Sequence, residues 1–337
     1  MKKKIGNQTI IFPSKPCVIG FYTVGGIKEG KGNLQEYLDF ILEDDNFGEK
    51  TFEKAERKIL EETMTKAIEK SKLKPEDIDM LVGGDLLNQI VASSFSAREF
   101  NTSFLGLYGA CSTMAESIAV GACLIDGQFF KNVLCSTGSH FSSAERQYRF
   151  PLELGNQRPP CSQWTVTGAG STVLSDKGSK IRVVSSTFGK VTDYGIKDVN
   201  NMGAAMAPAA MSSFVAHFEA TNTKPSDYDL ILTGDLGKLG SEIFIDLMEN
   251  KNYKMGANYS DCGHMFFKNN QKTFQGASGS GCSAMVLNSY VFKQMQKGKF
   301  KRVLFGATGA LLSTTSSQQG DSIPGICHVV EFEGGHE

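Results

Sequence analysis

The sequence predicts a mixed α/β protein that carries one architecture twice. Residues 74–86, KPEDIDMLVGGDL, and residues 224–236, KPSDYDLILTGDL, agree at seven of thirteen positions with a constant offset of 150. A second pair of blocks follows in the same order. Gly109-Ala110-Cys111-Ser112 precedes a helical stretch, Lys131 and a strand ending at Thr137-Gly138; Gly281-Cys282-Ser283 precedes another, then Lys301 and a strand ending at Thr308-Gly309. Two repeats in one order, with similar internal spacing, indicate a duplicated body.

The elements support this in turn. Phe52, Ala55, Ile59, Met64 and Ala67 recur at helical spacing among Lys and Glu, and Pro75 closes the unit. Short strands are expected at Met80–Val82, Val133–Cys135, Ile181–Val184, Leu230–Leu232 and Val303–Phe305. Most are continuously apolar, as strands covered by helices on both faces should be. The halves are expected to divide within Asp176-Lys177-Gly178-Ser179-Lys180, as residues 1–178 and 179–337, with residues 33–50 as an insertion or edge element.

Composition narrows the function classes. With 35 Lys and Arg against 36 Asp and Glu, the 337-residue chain has a formal charge of −1, which argues against a broad nucleic-acid surface. Eight cysteines without Cys-x-x-Cys, and five scattered histidines, lack both a disulfide framework and a zinc spacing. The basic start, Lys2-Lys3-Lys4, runs into Gly6-Asn7-Gln8 rather than an apolar signal segment. The Ala/Met-rich stretch from Met202 to Phe218 is shorter than the roughly 20 apolar residues a bilayer requires. Any membrane association should therefore be peripheral.

Cys111 is the leading candidate for chemistry. It follows Gly109-Ala110 and precedes a helix containing Met114, Ala115 and Ile118, and a helix N-terminus favours thiolate. A buried structural cysteine is the alternative. His264, in Asp261-Cys262-Gly263-His264-Met265, could be turned inward as a base or anion ligand, or could be a satisfied surface residue. The glycine-rich words at 167–172 and 276–281 lack the phosphate-loop Lys and the dinucleotide spacing, and read as tight turns.

Together these words resemble the thiolase superfamily, and more closely its branch in the spore dipicolinate apparatus. The resemblance rests on CVIGFYTVGG (17–26), GLYGACSTMAESIAVGA (106–122), TVTGAGSTVLSD (165–176), NNMGAAMAPAA (200–210), SDCGHMFF (260–267) and GASGSGCSA (276–284). It implies a layered αβαβα fold with two pseudo-symmetric mixed sheets. Cys111 then matches the superfamily nucleophile and His264 the histidine of its Gly-His-Pro segment. Departures follow. Met265 replaces the proline, Met265 to Gln275 separates His264 from Gly276, the second condensing partner falls near Gly234-Asp235, and the last cysteine motif falls at Phe305-Gly306-Ala307-Thr308 without a cysteine.

Loss of an acid–base group damages turnover more than ground-state binding. The resemblance therefore implies a non-catalytic protein that binds dipicolinate, alone or as its calcium chelate, during uptake into the developing spore and release on germination. An acyltransferase, condensing enzyme or thioesterase acting through Cys111 is the alternative. Dipicolinate would need cations, for which Lys190, Arg149 and Arg158 are candidates beside Cys111 and His264. No cofactor and no dedicated metal site are expected. The implied partners are other stage V sporulation membrane proteins, with a homodimer retained or replaced by such contacts. The implied location is the forespore or spore, peripheral on the inner membrane.

Overall fold

The computed structural model describes residues 3–148 and 158–334. Ten strands form two half-sheets of identical topology. The first contains β1 (Cys17–Gly25), β2 (Met80–Gly84), β3 (Ser103–Gly106), β4 (Asn132–Ser139) and β5 (Gly168–Ser175). The second contains β6 (Ile181–Thr187), β7 (Leu230–Thr233), β8 (Tyr259–Asp261), β9 (Arg302–Ala310) and β10 (Gly325–Gly334). From the molecular centre outward the orders are β1-β5-β4-β2-β3 and β6-β10-β9-β7-β8. In each half the two outer pairings are parallel and the two inner ones antiparallel. The half-sheets meet where Arg182 pairs with Cys17, which joins them along one hydrogen-bonded path.

The helices repeat as well. α1 (Phe52–Ser71) begins at Thr51, whose hydroxyl accepts from the Lys54 N–H, and buries Ala55, Ile59, Leu60, Met64 and Ala67. α2 (Val91–Arg98) follows β2, and α3 (Thr113–Asp126) and α4 (Phe141–Tyr148) flank β4. α5 (Met202–Thr221) begins 150 residues after α1 and, though Ala/Met-rich with an internal Pro208, is an outer-layer helix that buries one face on the sheet rather than a membrane span. No described helix is long and apolar enough to cross a membrane. α6 (Gly237–Glu249), the short α7 (Cys262–Phe266) and α8 (Ser280–Val286) complete the second half, α8 running on through a π-helical turn at Leu287–Val291.

Five layers result. α1 covers the outer face of the first half-sheet and α5 that of the second, while α3 and α8 share the middle layer. The central core joins Met114, Ile118 and Ala122 of α3 to Met285 and Val286 of α8 and to Val330 and Phe332 of β10. Burying each large apolar side chain there contributes roughly 1.5–3 kcal/mol. After α1 and α5 the repeated words fold alike: Asp77 accepts from the Lys74 N–H at 2.8 Å, and Asp227 from the Lys224 N–H at 2.9 Å. The segment at 33–50 buries Leu34, Leu38 and Leu42 and pairs Phe40–Ile41 with the end of β1.

One ionic group is built into the second half-sheet. Glu331 of β10 accepts from the Arg302 Nε at 2.7 Å and the Ser185 hydroxyl at 2.7 Å, with His217 Nε2 3.6 Å away. Burial alone would raise this carboxyl, but His217, Ser185 and Arg302 outweigh it and hold it down at about 2. That lies below its ordinary 4.5, so the unfolded chain binds the proton first. The stabilisation, about 3 kcal/mol, is complete above pH 4.5 and is lost as pH falls towards 2. Thermal melts across that window should show a steep acid loss in the wild type and a flatter one in Glu331→Gln.

Candidate functional site

A cavity opens at the carboxyl ends of β2, β7 and β9, where loops from both halves converge, as binding sites of open α/β sheets do. The space that the centre of a water-sized sphere can occupy inside it is about 50 Å³; counted with the open solvent at its mouth, the empty volume is about 600 Å³. Leu86 follows β2; Ala110 and Cys111 precede α3; Ala144, Glu145 and Tyr148 come from α4. Asn200 and Met202 lie at the start of α5, and Ser278, Gly279, Ala310 and Leu312 close the far wall. Among the described residues no Lys, Arg or His lines it.

Cys111 is buried in a 3-10 turn, Ala110–Ser112, that leads directly into α3. Ala110 has φ of +51°, a left-handed conformation that costs an L-residue about 1–2 kcal/mol and persists where the surroundings enforce it. Part of that enforcement is Gly309 of β9, where an added Cβ would strike the Gly109 carbonyl and crowd the Ser112 N–H at 3.2 Å. Turn and strand approach so closely because Gly309 has no side chain.

The thiol faces a carboxylate rather than an imidazole. Asp235, fully buried just beyond β7, accepts from the Ser278 hydroxyl at 2.9 Å, the Gly279 N–H at 3.0 Å and the Thr308 hydroxyl at 3.0 Å. Burial raises its pKa to about 6, assisted by Asp261 and opposed by the Cys111 thiol, Ser278 and Gly279. Burial likewise drives the Cys111 thiol well above 9, and the charge and hydrogen bonding of Asp235 push it further; Gly279 and Ser278 only partly offset this. A thiol with a pKa above about 9 is less than roughly 1% ionised at neutral pH. The helix N-terminus that would favour thiolate is present, and burial, reinforced by the adjacent carboxylate, overrides it.

His264 does not reach this cavity. It lies on α7, where Asp261 accepts from its N–H at 2.9 Å and its side chain is exposed. Cys262 and Phe266, four apart, point into the core, so the residue between them points out. Gly263 fixes this arrangement by packing against the Ala277 carbonyl and the Asp235 backbone. No residue of the Met265 to Gln275 segment lines the cavity: Asn33 Nδ2 donates to the Met265 and Phe267 carbonyls and Gln271 Nε2 to that of Lys28, and only its end, where the Gln275 N–H donates to the Ser162 carbonyl, comes beside the cavity.

The candidate cations separate likewise. Lys190 is exposed beside a different hollow, with Gln8 and Glu219. Arg149 lies outside the described residues. Arg158 is beside the cavity: it pairs with Glu145, donates to the Gln163 carbonyl, and sits 5.2 Å from the Phe141 ring centroid and 5.0 Å from that of Trp164. Those two rings stack at 4.0 Å and 11°, and Lys28 Nζ lies 3.9 Å over Trp164. This cation-bearing aromatic shelf, and the contacts of Gln163 Nε2 with the Asp235 and Ala277 carbonyls, were not singled out from sequence. Only Gly234-Asp235, as the repeat of Gly84-Asp85, gave a signal for the carboxylate.

The fold and site define a thiolase-like protein whose cysteine faces Asp235, with no histidine lining the cavity among the described residues. Its architecture matches 3-oxoacyl-[acyl-carrier-protein] synthase III from Aquifex aeolicus, with TM-score 0.57 and 13% identity over 94% of this chain and 99% of that one. It also matches the same synthase, FabH, from Xanthomonas oryzae, at 0.61 and 14% over 96% and 100%, and cerulenin-bound OleA from Xanthomonas campestris, at 0.61 and 12% over 96% and 97%. Residues 6–333 match the family described as Stage V sporulation protein AD (SpoVAD), and the chain belongs to it. The Bacillus subtilis Stage V sporulation protein AD is 44% identical over 331 residues, 98% of each chain.

Two outcomes follow from this geometry. Asp235→Asn removes the charge facing the thiol, so alkylation of Cys111 near neutral pH, followed by peptide mass spectrometry, should accelerate by roughly three- to tenfold for each pKa unit recovered. Gly309→Ala forces β9 away from the Cys111 turn and should destabilise the fold by about 1–3 kcal/mol in denaturant melts.

Proposed function

We propose that this sporulation protein is a non-catalytic member of the thiolase-like fold that binds dipicolinate in the cavity over Cys111. It would support uptake of that dianion into the developing spore and its release on germination. The observation that carries the proposal is the buried thiol held neutral against Asp235, with no imidazole lining the cavity among the described residues. A thioester-forming enzyme needs the thiolate and an acid–base partner; a binding site needs neither.

The ligand's chemistry suits the surroundings. A flat heteroaromatic ring would lie between Ala110, Ala144, Met202 and Leu312, with its carboxylates towards the mouth. There Arg158 and Lys28 sit on the Phe141–Trp164 stack. Arg158 now pairs with Glu145, a cavity residue, and an incoming carboxylate would take over that guanidinium. The protein would act peripherally on the spore inner membrane with membrane-embedded stage V partners, as a homodimer or in contact with them.

Titration calorimetry on the purified chain tests the reading. Dipicolinate should release heat, Arg158→Ala should lose at least about tenfold in affinity, and His264→Ala and Lys190→Ala should match the wild type. Because Asp235 carries a negative charge above about pH 6, affinity for a dianion should rise as pH falls through that value, and should not do so in Asp235→Asn. Acyl-CoA should leave no adduct on Cys111 by intact mass. Heat with an acyl-thioester but none with dipicolinate would reverse the assignment to an acyl-transfer enzyme.

A further inference from the structure

At the end of the first half opposite the Cys111 cavity, four lysines rim one groove: Lys70, Lys72, Lys131 and Lys177. Lys70 is paired with Asp39 at 2.8 Å, whereas Lys72, Lys131 and Lys177 have no ion pair among the described residues. The neighbouring acid Asp79 is already used, accepting from the backbone N–H groups of Lys131 and Asn132 at 2.8 and 2.9 Å. Asp176 is the acid in the groove itself.

The duplication supplies an internal control. At the offset of 150, Lys70 and Lys72 correspond to Ala220 and Asn222. Lys72 and Asn222 both end their helices in the left-handed conformation, at φ of +63° and +54°. Asn tolerates that position well, and a lysine there carries a conformational cost that Asn avoids. The fold therefore does not require Lys70 or Lys72; at these two positions, though not at Lys131, whose counterpart is Lys301, the first half carries charge that the second half lacks.

An apolar residue accompanies the charge. Phe129, two residues before Lys131, is 75% exposed, more than any other large apolar side chain described. The left-handed Gln128 (φ +61°) and the bond from the Phe129 N–H to the Leu124 carbonyl hold the turn that presents it. A groove of lysines, with an exposed aromatic two residues from one of them, matches the chemistry of an anionic bilayer surface, where cations meet phosphate headgroups and an aromatic ring enters the interface.

From these features we infer that this end of the first half, with the lysine groove and Phe129, is the face that docks on anionic phospholipid headgroups. It leaves the Cys111 cavity facing away from the bilayer. The inference rests on the peripheral membrane reading above and adds the face.

Flotation of the full chain with phosphatidylglycerol-containing vesicles tests it, against pure phosphatidylcholine vesicles. The wild type should float with the anionic vesicles alone. Removing one lysine should weaken partitioning about fivefold, and Lys72→Asn with Lys131→Asn together about 25-fold. Phe129→Ser should weaken binding while leaving its salt sensitivity intact. Unchanged melting and dipicolinate titration would show that these variants remain folded.

Anionic-vesicle binding that ignores these substitutions would overturn the face and leave the membrane reading standing. Cofractionation with spore membranes but no vesicle binding would overturn it in favour of docking through protein partners. Saturable binding of inorganic tripolyphosphate at these lysines, with no vesicle binding, would overturn it in favour of a soluble polyanion site. Failure to associate with vesicles or with spore membranes would sink the membrane reading itself.

Discussion

A buried carboxylate set against a buried thiol governs the chemistry of this molecule. Burial raises both groups, but the pair is one-sided: the thiol's hydrogen bond favours the ionised acid, and the acid's charge opposes ionisation of the thiol. The Ser278 hydroxyl and Gly279 N–H donate to Asp235 and stabilise its charge, and they only partly offset the rise that burial and that charge impose on the sulfur. Thr308, on the strand that also carries Gly309, adds a further donor and ties the carboxylate to the turn holding Cys111. Four separated segments thus meet around one sulfur, which burial and the Asp235 charge keep protonated.

The duplication shows how the site diverged from its own copy. In the first half, Asp85 accepts from the Leu87 and Ser93 N–H groups at 2.9 and 2.7 Å, and so holds its own loop. In the second half that task falls to Asp261, which accepts from Leu236 and Gly237, both at 2.9 Å. Asp235 is thereby released to face Cys111. The same strand-end acid is structural in one copy and part of the site in the other. A similar divergence separates Lys72 from Asn222, where one helix end carries a charge that the other lacks.

Much of the architecture was legible because it depends on local order. The repeated Pro-x-Asp word, the helical spacing from Phe52 to Ala67 and the apolar runs at Val133 and Val303 correspond to turns, helices and strands that form within short stretches. Cys111 before a helix was legible for the same reason. His264 was not: a Gly-His word gives no sign of which way a five-residue helix faces, and that is set by Cys262 and Phe266 entering the core. Arg158 was visible as a charge, but its partners Glu145, Phe141 and Trp164 become neighbours only when α4 folds against the following segment.

The order of residues was thus sufficient to establish two copies of one α/β unit and a cysteine at the head of a middle-layer helix, because periodicity and capping act over a few residues. Packing alone decided that the cysteine would meet Asp235, 124 positions away, and not His264. Side-chain direction at a domain junction depends on which neighbours fill the core first, and a protonation state depends on the burial and charges found there. Both are properties of the assembled interior.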